Sequence, residues 1–437
     1  MVMRVSRLID ACVNGGAQYA DCISLQVKKL QVDVVDGEAS VSRSSCRAHV
    51  LRALASGCWG ISVASTPSLD MAKSALRQAL SFGRGRIKLA DRRPVQGGYV
   101  ICQRKPVVEG DGGEVVDYVK QVVEHVEKEF GWGLRSVEGH VEASVVARAM
   151  MSSDGVNAYE LKPSITASFH AYTLTGDYVS VEVCGSGGLE VLESVEPTRI
   201  ADEIVFKLTC NAKAKALNPL YRGSTFDVLL SPQASASIVQ FVVENTLNAF
   251  TYPHKRLKGF EGLTIYDDPT LSGGFGSFFF DDEGVKARRK KLMESGRVVT
   301  LLHSRETAYQ HGVEPTGNGR GLAEPPKPMH SNIVVKGGDW NFKEMMEETK
   351  LGFLIDGVKA LRLVDGFVIA EPDAALVIER GEPKEPVKLN CIAVKLLDFY
   401  SKVKAVASSP LGCAQGAIGD CKSASYSPPL KVEVRAL

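Results

Sequence analysis

The chain has 437 residues, which is long enough for two or three domains and a sizeable core. Its 52 Lys and Arg residues nearly balance 51 Asp and Glu residues, so no overall field favours nucleic acid or an anionic membrane surface. The hydrophobic content of 44% and the charged content of 24% are ordinary for a globular protein. This composition excludes the disordered, collagen-like and coiled-coil classes.

Membrane and export signals are weak in this sequence. The longest nearly uncharged stretch, 231–250, contains Glu244 and many polar residues, so we predict no membrane span. The N-terminal residues build no apolar signal-peptide core, and we expect a cytoplasmic protein. The 10 cysteines form no C-x-x-C pair, which argues against a zinc ribbon or a redox dithiol motif.

The first 217 residues predict an α/β region that alternates helices and strands. Helical spacing of apolar residues predicts helices at 5–12, 115–126 and 198–214, and a proline-initiated helix from Thr66 to about Ser81. Alternating apolar residues predict strands at 23–27, 48–53, 59–63, 139–149 and 164–184, with turns at 36–37 and 175–177. The Gly- and Pro-rich residues 91–113 are interpreted as a linker.

From residue 218 onward the pattern changes to short strands separated by Gly and Pro turns. The predicted strands are 226–230, 263–266, 278–280, 297–302, 332–335, 366–369, 375–379 and 430–434. Helices are predicted at 234–250 and at 341–349. We therefore predict an α+β protein in which residues 1–217 precede a β-rich domain at 218–437.

The helix predicted at 234–250 is nearly apolar all round, which is typical of a buried helix. Its polar residues Gln240, Glu244 and Asn245 then need hydrogen-bonding partners in a buried setting. They are either satisfied core residues or parts of a site on a packed helix.

Three charged segments allow both a structural and a functional interpretation. The clusters at 267–269 and 281–284 could supply paired carboxylates for acid–base or metal chemistry, but their Asp-Pro and Glu-Gly pairs favour loops. The basic run at 286–291 follows acidic residues closely, which favours an ion-paired or solvated strand over a phosphate-binding patch. The glycine-rich segments 273–276 and 317–321 are interpreted as tight turns.

No H-E-x-x-H, P-loop or nucleophile-elbow motif occurs.

Several short motifs occur in a fixed order along almost the whole chain. They lie at 16–21, 226–232, 263–271, 280–285, 307–308, 316–319, 328–332, 419–422 and 429–432. In number, order and spacing they resemble the TldD/PmbA family, the modulator-of-DNA-gyrase proteins, whose PmbA branch is also called TldE. The resemblance implies an N-terminal α/β domain and a C-terminal domain with a large curved, mostly antiparallel sheet.

The resemblance also implies a peptidase site on the predicted buried helix. TldD-like members are zinc metallopeptidases with H-E-x-x-x-H on this helix and a cysteine near the C-terminus. Pro232 sets the register, so the two histidines and the glutamate are replaced by Gln240, Asn245 and Phe241. Neutral amides are poor zinc ligands and phenylalanine cannot accept a proton, so we expect neither a catalytic residue nor zinc in this chain.

We therefore expect the noncatalytic PmbA/TldE-like subunit, paired with a zinc-binding TldD-like subunit in a homo- or heterodimeric system that degrades or processes peptides. The first alternative is an active metallopeptidase with non-standard ligands, in which Glu244, His254 and Cys421 form the site. The second alternative is a DNA gyrase modulator that acts by binding. The charge balance does not favour nucleic acid as a partner, and the peptide-binding residues stay unassigned.

Overall fold

The computed structural model describes residues 2–252, 257–408, 412–418 and 421–437, apart from the side chains of residues 2–4, 132, 413–418 and 421. His254, one of the candidate ligands of the alternative peptidase site, lies outside the described residues. Cys421, the other, is described only by its backbone. Within these ranges, no helix is long and apolar enough to cross a membrane.

The N-terminal region alternates helices with long strands. In chain order its elements are α1 (Val2–Asn14), β1 (Tyr19–Val35), β2 (Glu38–Ala55), β3 (Cys58–Ala64), α2 (Leu69–Ser81), β4 (Gln96–Val100), α3 (Gly113–Phe130), β5 (Leu134–Ser152), β6 (Asn157–Thr173), β7 (Tyr178–Gly185), α4 (Glu190–Glu193) and α5 (Pro197–Lys213).

The C-terminal region is dominated by strands. Its elements are β8 (Lys215–Ala216), β9 (Thr225–Leu230), α6 (Pro232–Thr246), β10 (Ile265–Asp267), β11 (Lys290–Glu294), β12 (Arg297–Val298), α7 (Arg305–His311), β13 (Gly319–Arg320), β14 (Lys327–Pro328), β15 (Asn332–Val335), α8 (Phe342–Glu347), β16 (Leu351–Val364), β17 (Phe367–Glu379), β18 (Glu382–Lys388), β19 (Ile392–Lys395), α9 (Phe399–Lys402), β20 (Val403–Val406), β21 (Gly412–Ile418), β22 (Cys421–Ser427) and β23 (Leu430–Ala436).

The N-terminal strands form one sheet in the order β3-β2-β1-β5-β6, with β4 and β7 both paired to β6. The β1–β2 hairpin turns at Asp36 and Gly37, whose φ angles of 49° and 80° are the left-handed values of a tight hairpin turn. Helix α3 buries Val115, Val119 and Val122 in the same core cluster as residues of the sheet and of α5. The helical periodicity of this region therefore predicts the buried faces correctly.

The C-terminal region is built around a sheet that closes on itself. Strands β9, β16, β17, β19 and β23 pair successively, and β23 pairs back to β9; β9 and β16 run parallel and the other neighbours run antiparallel. Apolar residues of these strands, among them Val228, Phe353 and Val432, share one core cluster with Ile238 and Val242 of α6. A second sheet, β12-β11-β10-β15-β22-β21, flanks this core. The α+β class and the large, mostly antiparallel sheet are confirmed.

Several elements differ from the sequence-based expectations. Residues 91–113, interpreted as a linker, include β4, which lies parallel to β6 and hydrogen-bonds along it. The predicted strands 366–369 and 375–379 belong to the single strand β17, and the predicted strand at 278–280 forms only an isolated bridge between Phe280 and Lys286. Whether each of these segments forms a strand depends on tertiary pairing, because a short apolar segment does not specify its partner strand. The division of the chain at residue 217 stays a prediction.

Candidate functional site

Helix α6 begins at a strong N-terminal signal. Ser231 precedes Pro232 at the first helical position, and the Ser231 hydroxyl accepts a hydrogen bond from the Ala234 amide at 3.3 Å. The predicted extension to residue 250 is wrong, because Leu247 leaves helical geometry and the Asn248 side chain donates to the Pro328 carbonyl at 2.7 Å. The helix is buried on most of its surface, as predicted.

The remaining face of α6 lines an open groove between the N- and C-terminal regions. The cavity has a volume of about 370 Å³. Its walls are formed by α6, by β7 and by the neighbouring strands β16 and β17. The lining residues are Tyr178, Ser180, Glu182, Gln233, Ser237, Gln240, Phe241, Glu244, Val358, Lys359, Ala360, Leu361 and Asp373.

The degenerate motif positions divide between this groove and the helix itself. Gln240, Phe241 and Glu244 line the groove, and burial raises the pKa of the Glu244 carboxyl above its ordinary value. The Asn245 amide donates instead to the Phe241 carbonyl one turn earlier, at 2.8 Å. The sequence leaves two alternatives for these residues, satisfied core groups or parts of a site. Asn245 is satisfied within the helix, and the others face the groove.

The donor set on α6 does not fit a zinc ion. A catalytic zinc site needs three protein ligands, normally from His, Cys, Asp or Glu, and α6 offers Glu244 alone of these types at the motif positions. Among the described side chains no group of three or more His, Cys, Asp or Glu residues is arranged to hold a metal. Strands β21 and β22 form a hairpin beside α6, and Cys421 begins β22. A site that joins Glu244 to His254 and Cys421 stays a prediction, since neither of the latter side chains is described.

One end of the groove contains a buried ion-pair cluster that the sequence did not single out. The Lys207 ammonium lies 2.8 Å from a Glu203 oxygen and 3.6 Å from Asp373 Oδ2, and it donates to Gln233 Oε1 at 3.2 Å. Asp373 is 3% exposed, and its Oδ1 has no hydrogen-bond partner in the described part of the chain. Burial raises the pKa of Asp373 to about 6. The sequence signal for this cluster is Lys207, which lies on the apolar face of α5. A lysine in such a position needs a buried carboxylate as its partner.

The acidic motif at 267–269 contributes a buried, hydrogen-bonded ion pair rather than only a turn. Asp267 is fully buried and lies 2.7 Å from the Lys290 ammonium. It also accepts hydrogen bonds from the Ser331 amide at 2.6 Å and from the Asn318 side chain at 2.9 Å. The Lys290 charge and these hydrogen bonds outweigh burial and lower the pKa of Asp267.

The second acidic motif ties the two regions of the chain together. Asp282 pairs with Arg148 of β5 and accepts from the Gly321 amide at 2.9 Å, while the Arg52 guanidinium of β2 donates to the Asp282 and Gly321 carbonyls. The surrounding arginines lower the pKa of Asp282 despite its burial. Glu283 differs, because burial and the neighbouring Asp281 carboxylate raise its pKa to about 8. The interpretation as loop structure is confirmed, but the burial of these residues was missed.

The basic run is ion-paired, as predicted. Lys290 pairs with Asp267, Arg289 lies 3.5 Å from an Asp268 oxygen, and Arg288 lies 3.6 Å from a Glu314 oxygen. Its charges are therefore engaged within the protein, and the run gives no support to a phosphate-binding surface.

The comparisons with known proteins agree with this architecture. The family model for the PmbA/TldA metallopeptidase C-terminal domain matches residues 223–434. The chain is 28% identical over 448 residues to a metalloprotease of Methanothermobacter thermautotrophicus, covering 97% of this chain and 92% of that protein. It is 36% identical over 218 residues to a metalloprotease of Methanocaldococcus jannaschii, covering 46% of this chain and 48% of that protein.

Solved structures show the same fold at low sequence identity. TldE from Thermococcus kodakarensis aligns with a TM-score of 0.78 at 16% identity and covers 99% of both chains. A proposed modulator of a DNA gyrase from Thermotoga maritima also aligns at 0.78, with 18% identity over 100% of this chain and 99% of that chain. The fold and the sequence matches thus define a metalloprotease-like protein with an α/β region and a closed-sheet region. Residues 223–434 match the C-terminal domain of the TldD/PmbA family, and the similarity to the Methanothermobacter metalloprotease extends over 97% of the chain.

Proposed function

We propose that this chain is the noncatalytic, TldE-like subunit of a peptidase system and that it pairs with a zinc-binding TldD-like subunit. The observation that carries this proposal is the identity of the motif residues on α6, where Gln240, Phe241 and Asn245 stand in place of two histidines and a glutamate. An amide that is already hydrogen-bonded within the helix, as in Asn245, is a poor metal ligand.

In this proposal the chain contributes a peptide-binding wall and a subunit interface, while its partner supplies the metal and the general base. The open groove beside α6 supports the first role, because it occupies the position at which the motif would place a catalytic centre. A TldD-like chain is the proposed partner, and pairing with a second copy of this chain is the alternative.

A reconstitution experiment tests the proposal. The full chain and an H-E-x-x-x-H-containing TldD protein from the same organism are purified separately and mixed, and each sample is analysed by size-exclusion chromatography, zinc content and cleavage of an unstructured peptide. We expect a hetero-oligomer, zinc confined to the partner, and cleavage that increases on mixing. Cleavage by the isolated chain that is lost in the Glu244→Ala variant would instead establish the alternative metallopeptidase.

A further inference from the structure

The groove beside α6 is polar on one wall and apolar on another. Phe241, Val358 and Leu361 contribute apolar surface, whereas Glu182, Glu244 and Asp373 contribute carboxylates. Lys359 is the lining residue with a positive charge, and it is exposed at the rim. A long side chain with an aliphatic stem and a charged end matches such a mixed surface.

Asp373 is the feature that points to a missing partner. It is 3% exposed, one carboxylate oxygen faces Lys207 at 3.6 Å, and the other oxygen has no hydrogen-bond partner within the described ranges. Buried carboxylate oxygens are normally satisfied, because an unpaired one loses its hydration without compensation. The paired carboxylates of the acidic motifs in the same protein follow that rule, since Asp267 and Asp282 each have several donors.

The groove is long enough for an extended peptide. Gln233, which contacts Lys207 beside Asp373, and Glu244 are separated by about 16 Å along the helix at a rise of 1.5 Å per residue. An extended chain of about five residues covers this length at 3.3 Å per residue. The β16–β17 ladder shifts register between Val358 and Ala360, opposite Pro372, on the wall that faces this path.

We infer that this groove binds an extended peptide and selects one that carries a lysine or arginine side chain, which a carboxylate at either end of the path, Glu244 or Asp373, recognises. The inference rests on the proposed function in taking the ligand to be a peptide. At the Asp373 end the ammonium or guanidinium group supplies the donors that Asp373 lacks, and at the Glu244 end the aliphatic stem packs on Phe241. Asp373 is buried and Glu244 is half-buried, so an incoming cation would be screened less by salt than on an open surface.

Isothermal titration calorimetry on the full chain tests the inference. The probes are acetylated and amidated five-residue alanine peptides with a central lysine, norleucine or glutamate. We expect the lysine peptide to bind about tenfold more tightly than the norleucine peptide, and the glutamate peptide to bind more weakly than both. The lysine preference should shrink as salt rises from about 50 to about 500 mM.

Variants separate the groove from the rest of the surface. Glu244→Gln should reduce the lysine preference by about threefold or more, and Lys359→Met should increase it, because the rim then loses its repelling charge. The matched control is Glu261→Gln, an exposed residue that does not line the groove, and it should leave the preference unchanged. Asp373→Asn is informative where circular dichroism shows that the variant is folded, since it also disturbs Lys207.

Equal binding of the lysine and norleucine peptides, or no binding of either, would overturn the inference and leave the subunit assignment intact. Zinc binding and peptide cleavage by the isolated chain would overturn the proposed function while leaving a lysine preference unaffected. The two failures are therefore distinguishable in the same set of samples.

Discussion

Two groups of carboxylates in this protein differ in how completely the fold satisfies them. Asp267 and Asp282, in the acidic motifs, are buried against cations and backbone amides that hold their pKa values below the ordinary range. Glu244 and Asp373, in the groove, have pKa values that burial raises. The first group is satisfied by the fold, whereas Asp373 of the second group keeps an oxygen without a donor among the described residues.

The presence or absence of partners for a carboxylate distinguishes structural from ligand-binding acidic residues better than burial does. Asp282 and Asp373 are both almost fully buried, yet Asp282 joins β-strand arginines of the N-terminal region to a loop of the C-terminal region, whereas Asp373 keeps an oxygen without a donor in the described structure. A buried carboxylate with its partners in place stabilises the fold. One without them is a candidate for recognition.

The largest effect should come from breaking the first group. Asp282→Ala leaves the Arg148 and Arg320 guanidinium groups buried with one carboxylate fewer. We expect a loss of about 3 to 5 kcal/mol in the free energy of unfolding, measured by urea denaturation. The exposed Asp117 of α3 provides the control, and Asp117→Ala should change stability by less than about 0.5 kcal/mol. Similar losses for the two variants would contradict the structural role of the motif.

Low pH should reduce the stability of the folded protein through protonation of His330. This residue is 2% exposed, neither ring nitrogen has a hydrogen-bond partner among the described groups, and burial lowers its pKa to about 4. Because the unfolded state binds a proton near pH 6.5 and the folded state resists it, stability should fall between about pH 6.5 and pH 4, by about 3 kcal/mol from this residue.

His330→Leu removes this titration. The difference in unfolding free energy between pH 7 and pH 4 should then be about 3 kcal/mol smaller than in the unchanged protein, as measured by urea denaturation at both pH values. His303 titrates in the same direction and contributes to the pH dependence that remains. An unchanged pH dependence in the variant would show that His330 does not resist protonation.

The ligand preference of the groove should depend on pH. Asp373, with a pKa of about 6, faces Lys207 of α5 and both Lys359 and Asp356 of β16. As the pH falls through 6 it gains a proton, and the raised pKa of Glu244 moves that carboxyl in the same direction. The preference for the lysine peptide over the norleucine peptide should therefore drop at least threefold between about pH 7.5 and pH 5, measured by calorimetry. A preference that does not change would argue against carboxylate recognition.

The smallest effect should be that of Glu244→Gln on stability. Glu244 forms no ion pair within the described part of the chain, and its half-buried carboxylate is disfavoured by desolvation. The variant should unfold within about 0.5 kcal/mol of the unchanged protein in urea. A loss above about 2 kcal/mol would place Glu244 with the structural carboxylates and would remove the contrast between the two groups.

The sequence predicts the helices and the long N-terminal strands well because their signals are local. The apolar spacing of α1 and α3, the turn at Asp36-Gly37 and the buried character of α6 all follow from periodicity and turn chemistry. The motif register selects Gln240, Phe241 and Asn245 on α6, but it does not predict that Gln240, Phe241 and Glu244 line a groove.

The rest depends on contacts that no local pattern contains. Strand β4 exists because β6 offers a parallel edge, and α7 is a short helix fixed by the Ser304 capping box. The first turn of α2 starts from Ser68 rather than from Thr66, since the competing Ser and Pro signals lie within three residues. Asp373 and Lys207 are far apart in sequence, so only the packing of α5 against β17 reveals their pairing.

The central claim is that this chain binds no zinc of its own at α6. The most direct measurement is the metal content of the purified full chain by elemental analysis, after dialysis that removes loosely bound ions. The account predicts well below one zinc per chain. About one zinc per chain, lost on substitution of Glu244, His254 or Cys421, would contradict it and would identify an active metallopeptidase with altered ligands.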